Sequence, residues 1–261
     1  MAGALLHLAM GDLDKLDPDN SEYSDSYKKA YALGLLLPDI AKQGFVANIE
    51  DFKRYFEGCS QDDILTYEEF LQFSKNNHFN PDQSNPTQQD TRNPNLREFI
   101  DAKYVDLKKP IWQGVLCHLM GDKAFYYKTY CVDDPRAMED YAREVGKLKE
   151  WDGEKWRNSE TGKVYYDDYN VLNQCIEDEY GVLDKLLRRI LPAPLVQELQ
   201  ENFKVKFSST RTEPEYMNLK NIKKYINHSH LLIKGIESGD IENILQFFDG
   251  KDKEKIYDEE R

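Results

Sequence analysis

Five histidines occur in the chain, and His118, within a helical apolar pattern, precedes an aspartate by four residues in His118-Leu-Met-Gly-Asp122. On a helix, residues four apart share a face, so this spacing aims one imidazole and one carboxylate at the same spot. Trp112, Val115, Leu116, Leu119 and Phe125 make that spot apolar. A carboxylate buried there without a partner is costly. A divalent metal would resolve the cost, and so would a buried Arg or Lys, or a hydrogen bond between His118 and Asp122. On spacing alone the metal is the minority reading, because structural networks use the same pairs.

Three further residues carry the same chemistry from other places in the chain. His7 lies in the apolar run Ala4-Leu-Leu-His7-Leu-Ala-Met10, Asp39 follows Pro38, and His78 opens a polar stretch in Asn77-His78-Phe79. Taken singly, each has a plainer role: a core histidine, a turn or cap residue, an exposed loop histidine. His228 and His230 are two apart in a helical pattern, face different directions and are expected to lie outside any metal site. Cys117 adjoins His118, but successive helix positions diverge by about 100°, so they form no catalytic pair. There is no GxSxG, P-loop or GxGxxG motif.

The elements that must position these groups are helical. Leu5, Leu6, Leu13 and Leu16 predict a first helix ending before Pro18. Ser21 or Ser24 caps a second, which runs through Tyr31 and Leu33 until Pro38 and Asp39 stop it. Helices follow around Ile49–Phe56 and from Asp62 to Phe73. A polar, proline-containing loop spans 76–94, and helix resumes near Leu96. The most apolar helix covers roughly Ile111 to Tyr130, with Pro110 in its first turn. Further helices are expected from about 134 to 149, 168 to 180, 183 to 191, 194 to 203, 213 to 237 and 240 to 248. The one hairpin signal falls near 154–166, with Gly162 in its turn. The expectation is an all-α fold: a single multi-helix bundle over 1–261 with at most one small β-hairpin and a charged tail from about 251.

Composition narrows the function classes. Lys plus Arg number 35 against 48 Asp plus Glu, a net charge of −13. That balance disfavours nonspecific nucleic-acid binding and docking on anionic lipid. Four cysteines without a CxxC pair read as free thiols of a reducing compartment. No apolar run is long enough for a membrane span, and Met1–Met10 lacks the basic region of a signal peptide. The expected localisation is cytoplasmic.

Together, His7, Asp39, His78 and the His118/Asp122 pair come from four separate elements of an expected bundle, and bundles build metal sites in this manner. The segments Leu6-His7-Leu8-Ala9, Gly34-Leu-Leu-Leu-Pro38-Asp39-Ile40, Asn77-His78-Phe79 and Trp112-Gln-Gly-Val-Leu-Cys-His118-Leu-Met-Gly-Asp122 resemble the zinc-dependent phospholipase C and P1 nuclease superfamily, most closely its cytoplasmic bacterial members. The likeness covers about residues 1–180. It implies an all-α bundle with up to three zinc ions in a cleft, and hydrolysis of phosphoesters in which two metals activate a water and hold the phosphate. It assigns His7, Asp39, His78, His118 and Asp122 as metal ligands, with Asp39 of the bridging type and a candidate general base.

The chain departs from the family pattern in three places. Met1-Ala2-Gly3 stand where secreted members carry a processed N-terminal Trp. Phe125 to Lys128 replace a further His, and Tyr165-Tyr-Asp-Asp168-Tyr-Asn170 replaces an HxxxE. Asp167 or Asp168 is the candidate substitute, and Asp168 joins the ligand set as its sixth member. More oxygen ligands lean a site from zinc toward manganese or magnesium. The implied substrate is a small phosphoester or phospholipid-like molecule. The alternative is a non-catalytic bundle whose residual metal or polar site serves a binding module.

Overall fold

The expected first helix is two helices. The computed structural model describes residues 4–79, 94–124, 149–151, 156–158 and 167–208, with Ile226 and Leu245. In it α1 (Ala4–Met10) is buried along its whole length. The chain breaks at Gly11, and the Asp12 side chain accepts from the Asp14 N–H to cap α2 (Leu13–Leu16). An aspartate satisfying an otherwise orphaned N–H restarts a helix in this way.

Ser24 caps α3 (Asp25–Gly34). Pro38 and Asp39 do not end this segment, as expected above; they lie inside the first turn of α4 (Leu37–Gln43), which follows α3 after Leu35 and Leu36. The first turn tolerates proline because its N–H has no acceptor there. Gly44, at φ 71°, closes α4 in the left-handed conformation that glycine adopts without strain. Asn48 caps α5 (Ile49–Tyr55). Next, α6 (Tyr67–Ser74) starts later than Asp62 because Thr66 and Glu69 form a reciprocal capping box. Beyond it come α7 (Leu96–Ile100) and α8 (Pro110–Ala124).

Farther along the chain, α9 (Asp167–Tyr180) is followed by α10, a π-helical Val182–Leu187 running on as Arg188–Ile190, and by α11 (Ala193–Asn202). Two three-residue strands, β1 (Lys149–Trp151) and β2 (Trp156–Asn158), pair antiparallel with Trp151 opposite Trp156. The paired strands thus lie earlier in the chain than the hairpin expected around Gly162, which falls outside the described residues. Residues 80–93 of the expected loop, 125–130 of the expected apolar helix, 159–166, the helix expected over 134–149 apart from Lys149, which opens β1 instead, the helices expected over 213–237 and 240–248, the tail, His228 and His230 lie outside the described residues. Of those stretches, only Ile226 and Leu245 are described, both helical and buried. The described residues are otherwise helix and connecting turn, an all-α fold.

The bundle is organised around α8. From Pro110 to Asp122 its residues are buried except the half-buried Gln113. A helix apolar on all sides is one that neighbours surround. Its closest partner is α3. A Cβ on Gly34 would run into the Ile111 carbonyl, and one on Gly114 into the Tyr31 carbonyl, so the two backbones meet where neither carries a side chain. Lys15 ties α2 to this pair: its Nζ donates to Gln113 Oε1 at 2.8 Å and lies 5.3 Å from the Tyr31 ring centre. Such a contact accommodates a buried cation. No described helix is long and apolar enough to cross a membrane. Cys59, Cys117 and Cys175 are free thiols.

Candidate metal centre

The close crossing of α3 and α8 sets the first ligand. It brings the Leu35 carbonyl, at the end of α3 where helical acceptors lose their partners, to 2.8 Å from His118 Nδ1. A carbonyl only accepts, so Nδ1 carries the proton and the Nε2 lone pair points the other way. One turn on, Asp122 presents Oδ2 at 3.4 Å from that Nε2.

Three other elements converge on the same point. His7 of α1 stacks on His118, with ring centres 3.7 Å apart and planes 13° from parallel. Gly121 lets α1 come this near, since a Cβ there would lie 3.1 Å from Met10 Sδ and 3.4 Å from His7 Nδ1. His7 Nε2 is 3.5 Å from Asp122 Oδ1 and 3.9 Å from Asp39 Oδ2. His78, in the turn after α6, places Nε2 at 3.5 Å from Asp122 Oδ2 and 3.6 Å from Asp39 Oδ1. Asp39 reaches the point from the first turn of α4. All five residues are at most 2% exposed.

The structure therefore brings together His7, Asp39, His78, His118 and Asp122, and buries the residues whose plainer roles were turn and surface loop. Asp168 falls in the first turn of α9, and its side chain lies outside the described residues. Sequence reasoning missed the groups that hold the imidazoles: the Leu35 carbonyl and Asn77, whose Oδ1 is 2.6 Å from His78 Nδ1. Only its position next to His78 could have flagged Asn77.

The electrostatics are those of a cation site. Burial and the neighbouring His118 lower the His7 imidazolium from 6.5 to about 3, against the pull of Asp122 and Asp39. Burial also lowers His78, opposed by the two carboxylates. Burial lowers His118 as well, but Asp122, Asp39 and the Leu35 carbonyl outweigh it and raise the group. For Asp39 and Asp122 burial raises the carboxyl, yet the surrounding imidazoles prevail and hold both below the ordinary carboxylate range. Among the described residues no Lys or Arg pairs with either carboxylate. Among the described residues, both nitrogens of His7, Nε2 of His78 and His118, and Oδ1 of Asp39 and Asp122 have no hydrogen-bond partner.

The donor atoms fit an ion in spacing. Ligands about 2.0–2.1 Å from a tetrahedral centre lie about 3.3–3.4 Å from one another. The Asp122 oxygens meet the three Nε2 atoms at 3.4–3.5 Å, so small inward shifts close the set. Two donor groups stand out, His7–His118–Asp122 and Asp39–His78–His118, each with its ligand atoms within 4.8 Å. These buried groups can hold a metal ion. No family model, curated protein or solved structure matches the chain.

Proposed function

We propose that the centre binds a divalent metal, zinc before manganese or magnesium, and that the protein is a metal-dependent phosphoester hydrolase of the type its sequence resembles. One observation carries the metal: five potential ligand groups, three imidazoles and two carboxylates, face one another with no lysine or arginine among them in the described residues. Three nitrogen and two oxygen ligands are the donor set of zinc and its neighbours rather than of magnesium. When bound, the ion supplies Lewis acidity and a lowered pKa for water.

The protein's own groups supply the rest. His118 and His78 offer Nε2 with Nδ1 held, and Asp122 faces all three imidazoles. Asp39 faces His7 and His78 among the ligands, and it is also the carboxylate that the resemblance offers as bridging group or general base. The substrate class is a small phosphoester or phospholipid-like molecule, as the resemblance implies.

The burial of all five groups favours a second reading, a structural metal centre in a binding module. Structural sites are closed, whereas catalytic ones keep a position open. One experiment separates the two. Metal content is measured by elemental analysis on protein purified without chelator, and then hydrolysis of bis(p-nitrophenyl) phosphate is followed with and without EDTA and after zinc is restored. The hydrolase reading expects bound metal and a chelator-sensitive rate. Metal without hydrolysis leaves the structural centre, and absence of any bound divalent ion overturns both.

A further inference from the structure

The end of α6 determines which way one of the imidazoles faces. Past Ser74 the chain leaves the helix in a series of tight turns, and the freed Ser74 carbonyl accepts from Asn77 Nδ2 at 3.3 Å. A carbonyl cannot donate, so the amide nitrogen of Asn77 must face it, and the orientation of the carboxamide follows from the backbone. Asn77 Oδ1 is thereby turned to His78 Nδ1, at 2.6 Å. An amide oxygen also only accepts, so the imidazole proton sits on Nδ1. Its lone pair then lies on Nε2, the atom 3.5 Å from Asp122 and 3.6 Å from Asp39. The chain of directed bonds runs from a main-chain carbonyl through one amide to the ligand atom.

The next residue holds this arrangement in place. Phe79 has a φ of 48°, a left-handed conformation that is costly for a bulky side chain. It is kept there by its burial beside Phe99, with ring centres 5.2 Å apart, and by its carbonyl, which accepts from Asn95 N–H at 2.9 Å. Strain of this kind persists where the surroundings over-determine it. Asn77 itself is 3% exposed, so no water replaces its oxygen at His78 without cost.

We propose that Asn77 is a positioning residue: it fixes His78 in the Nδ1-protonated tautomer and thereby sets the metal affinity of the centre. The inference rests on the metal-centre reading. Partners of this type on ligating histidines change metal affinity about 10- to 100-fold when lost.

The test uses Asn77→Leu, which keeps the shape without an acceptor, and Asn77→Asp, which keeps the acceptor and loses the donor to Ser74. Long-range proton–nitrogen spectra of histidine-labelled, metal-free protein report the tautomer of His78, and chelator competition reports the zinc Kd. Wild type and the Asp variant are expected to carry the proton on Nδ1. The Leu variant is expected to move it to Nε2 and to weaken zinc about 10- to 100-fold, while the Asp variant binds as tightly as wild type or tighter. A wild-type spectrum with the proton on Nε2 overturns the proposal without any variant. So does a Leu variant with unchanged tautomer and affinity. A wild-type protein that binds no zinc defeats the metal reading, and the nitrogen spectrum of the metal-free protein still decides the tautomer.

Discussion

Asp122→Asn is the sharpest perturbation of the centre, because Asp122 alone faces His7, His78 and His118, at 3.5, 3.5 and 3.4 Å. The substitution preserves shape and removes the charge. A metal that binds only the folded state stabilises it by RT ln(1 + [L]/Kd), about 2.7 kcal/mol when free metal is held at about one hundred times Kd. For a chain of this size each kcal/mol moves the melting temperature by about 2–4 °C, so restoring zinc after chelation should raise it by about 5–11 °C. Losing an anionic ligand is taken to weaken binding at least as much as losing a supporting partner, about 100-fold. At the same free zinc the variant is then near its own Kd, and the gain falls to about 0.4 kcal/mol, or 1–2 °C. Melting is followed by circular dichroism in metal-buffered solution and in excess chelator. The quantity to compare is the metal-dependent shift within each protein, since the substitution alters the metal-free baseline as well. An Asp122→Asn protein that keeps the full shift refutes Asp122 as a ligand. A wild type without a shift for any divalent ion refutes the centre.

Three further outcomes follow from the same structure. In metal-free protein the folded-state pKa of His7, about 3 against 6.5, means that the unfolded chain takes up the proton first. Its contribution to stability is therefore complete above about 6.5 and lost as pH falls, by roughly 1 kcal/mol per unit. His118, raised, acts in the opposite sense and loses its contribution as pH rises. Chelated His7→Gln should show a shallower fall in melting temperature between pH 7 and 5 than chelated wild type. Gly114→Ala places a methyl group against the Tyr31 carbonyl. The helices must separate, with a loss of about 1–3 kcal/mol in denaturant titration and a weaker zinc Kd as the Leu35 carbonyl leaves His118. Burial pushes the Cys117 thiol up to about 12, so it should react with a disulfide reagent only on the timescale of unfolding.

The parts of this site that were legible in the sequence are those set by local periodicity. His118 and Asp122 share a face because a helix repeats every 3.6 residues, and their apolar neighbours announced burial. His7 sits in a run too apolar to be anything but core. Asp39 was obscured because proline ends one helix and begins another with equal ease. What decided for a new helix was the burial of Leu37 and Ile40, a tertiary fact. His78 read as surface because its neighbours are Asn and Asp. It is buried because Phe79 inserts between Phe73 and Phe99, with ring centres 6.3 and 5.2 Å away, contacts that no window around residue 78 contains. Gly34 and Gly114 owe their place to the other helix, whose carbonyls a Cβ at either position would strike, a contact no local window contains.

The alternatives left open by the His118/Asp122 spacing can now be weighed by counting acceptors. A buried Arg or Lys is not present among the described residues that pair with the two carboxylates. A proton on His118 is the least costly remaining cation, and the raised pKa of that group is the protein's response to the field it sits in. A single proton, however, serves one nitrogen and one oxygen. It leaves His78 Nε2 facing Asp39 as acceptor against acceptor, and the single N–H of a neutral His7 can serve only one of the two carboxylates it faces. More protons do not solve this, since burial holds His7 and His78 below their ordinary values. A divalent ion would take up lone pairs from either three-residue donor group and offset the carboxylate charge. The same count explains why two of the three imidazoles are tied at Nδ1, to Leu35 and to Asn77: a bond there commits the lone pair to Nε2, an arrangement that stabilises the fold only when a cation takes it up.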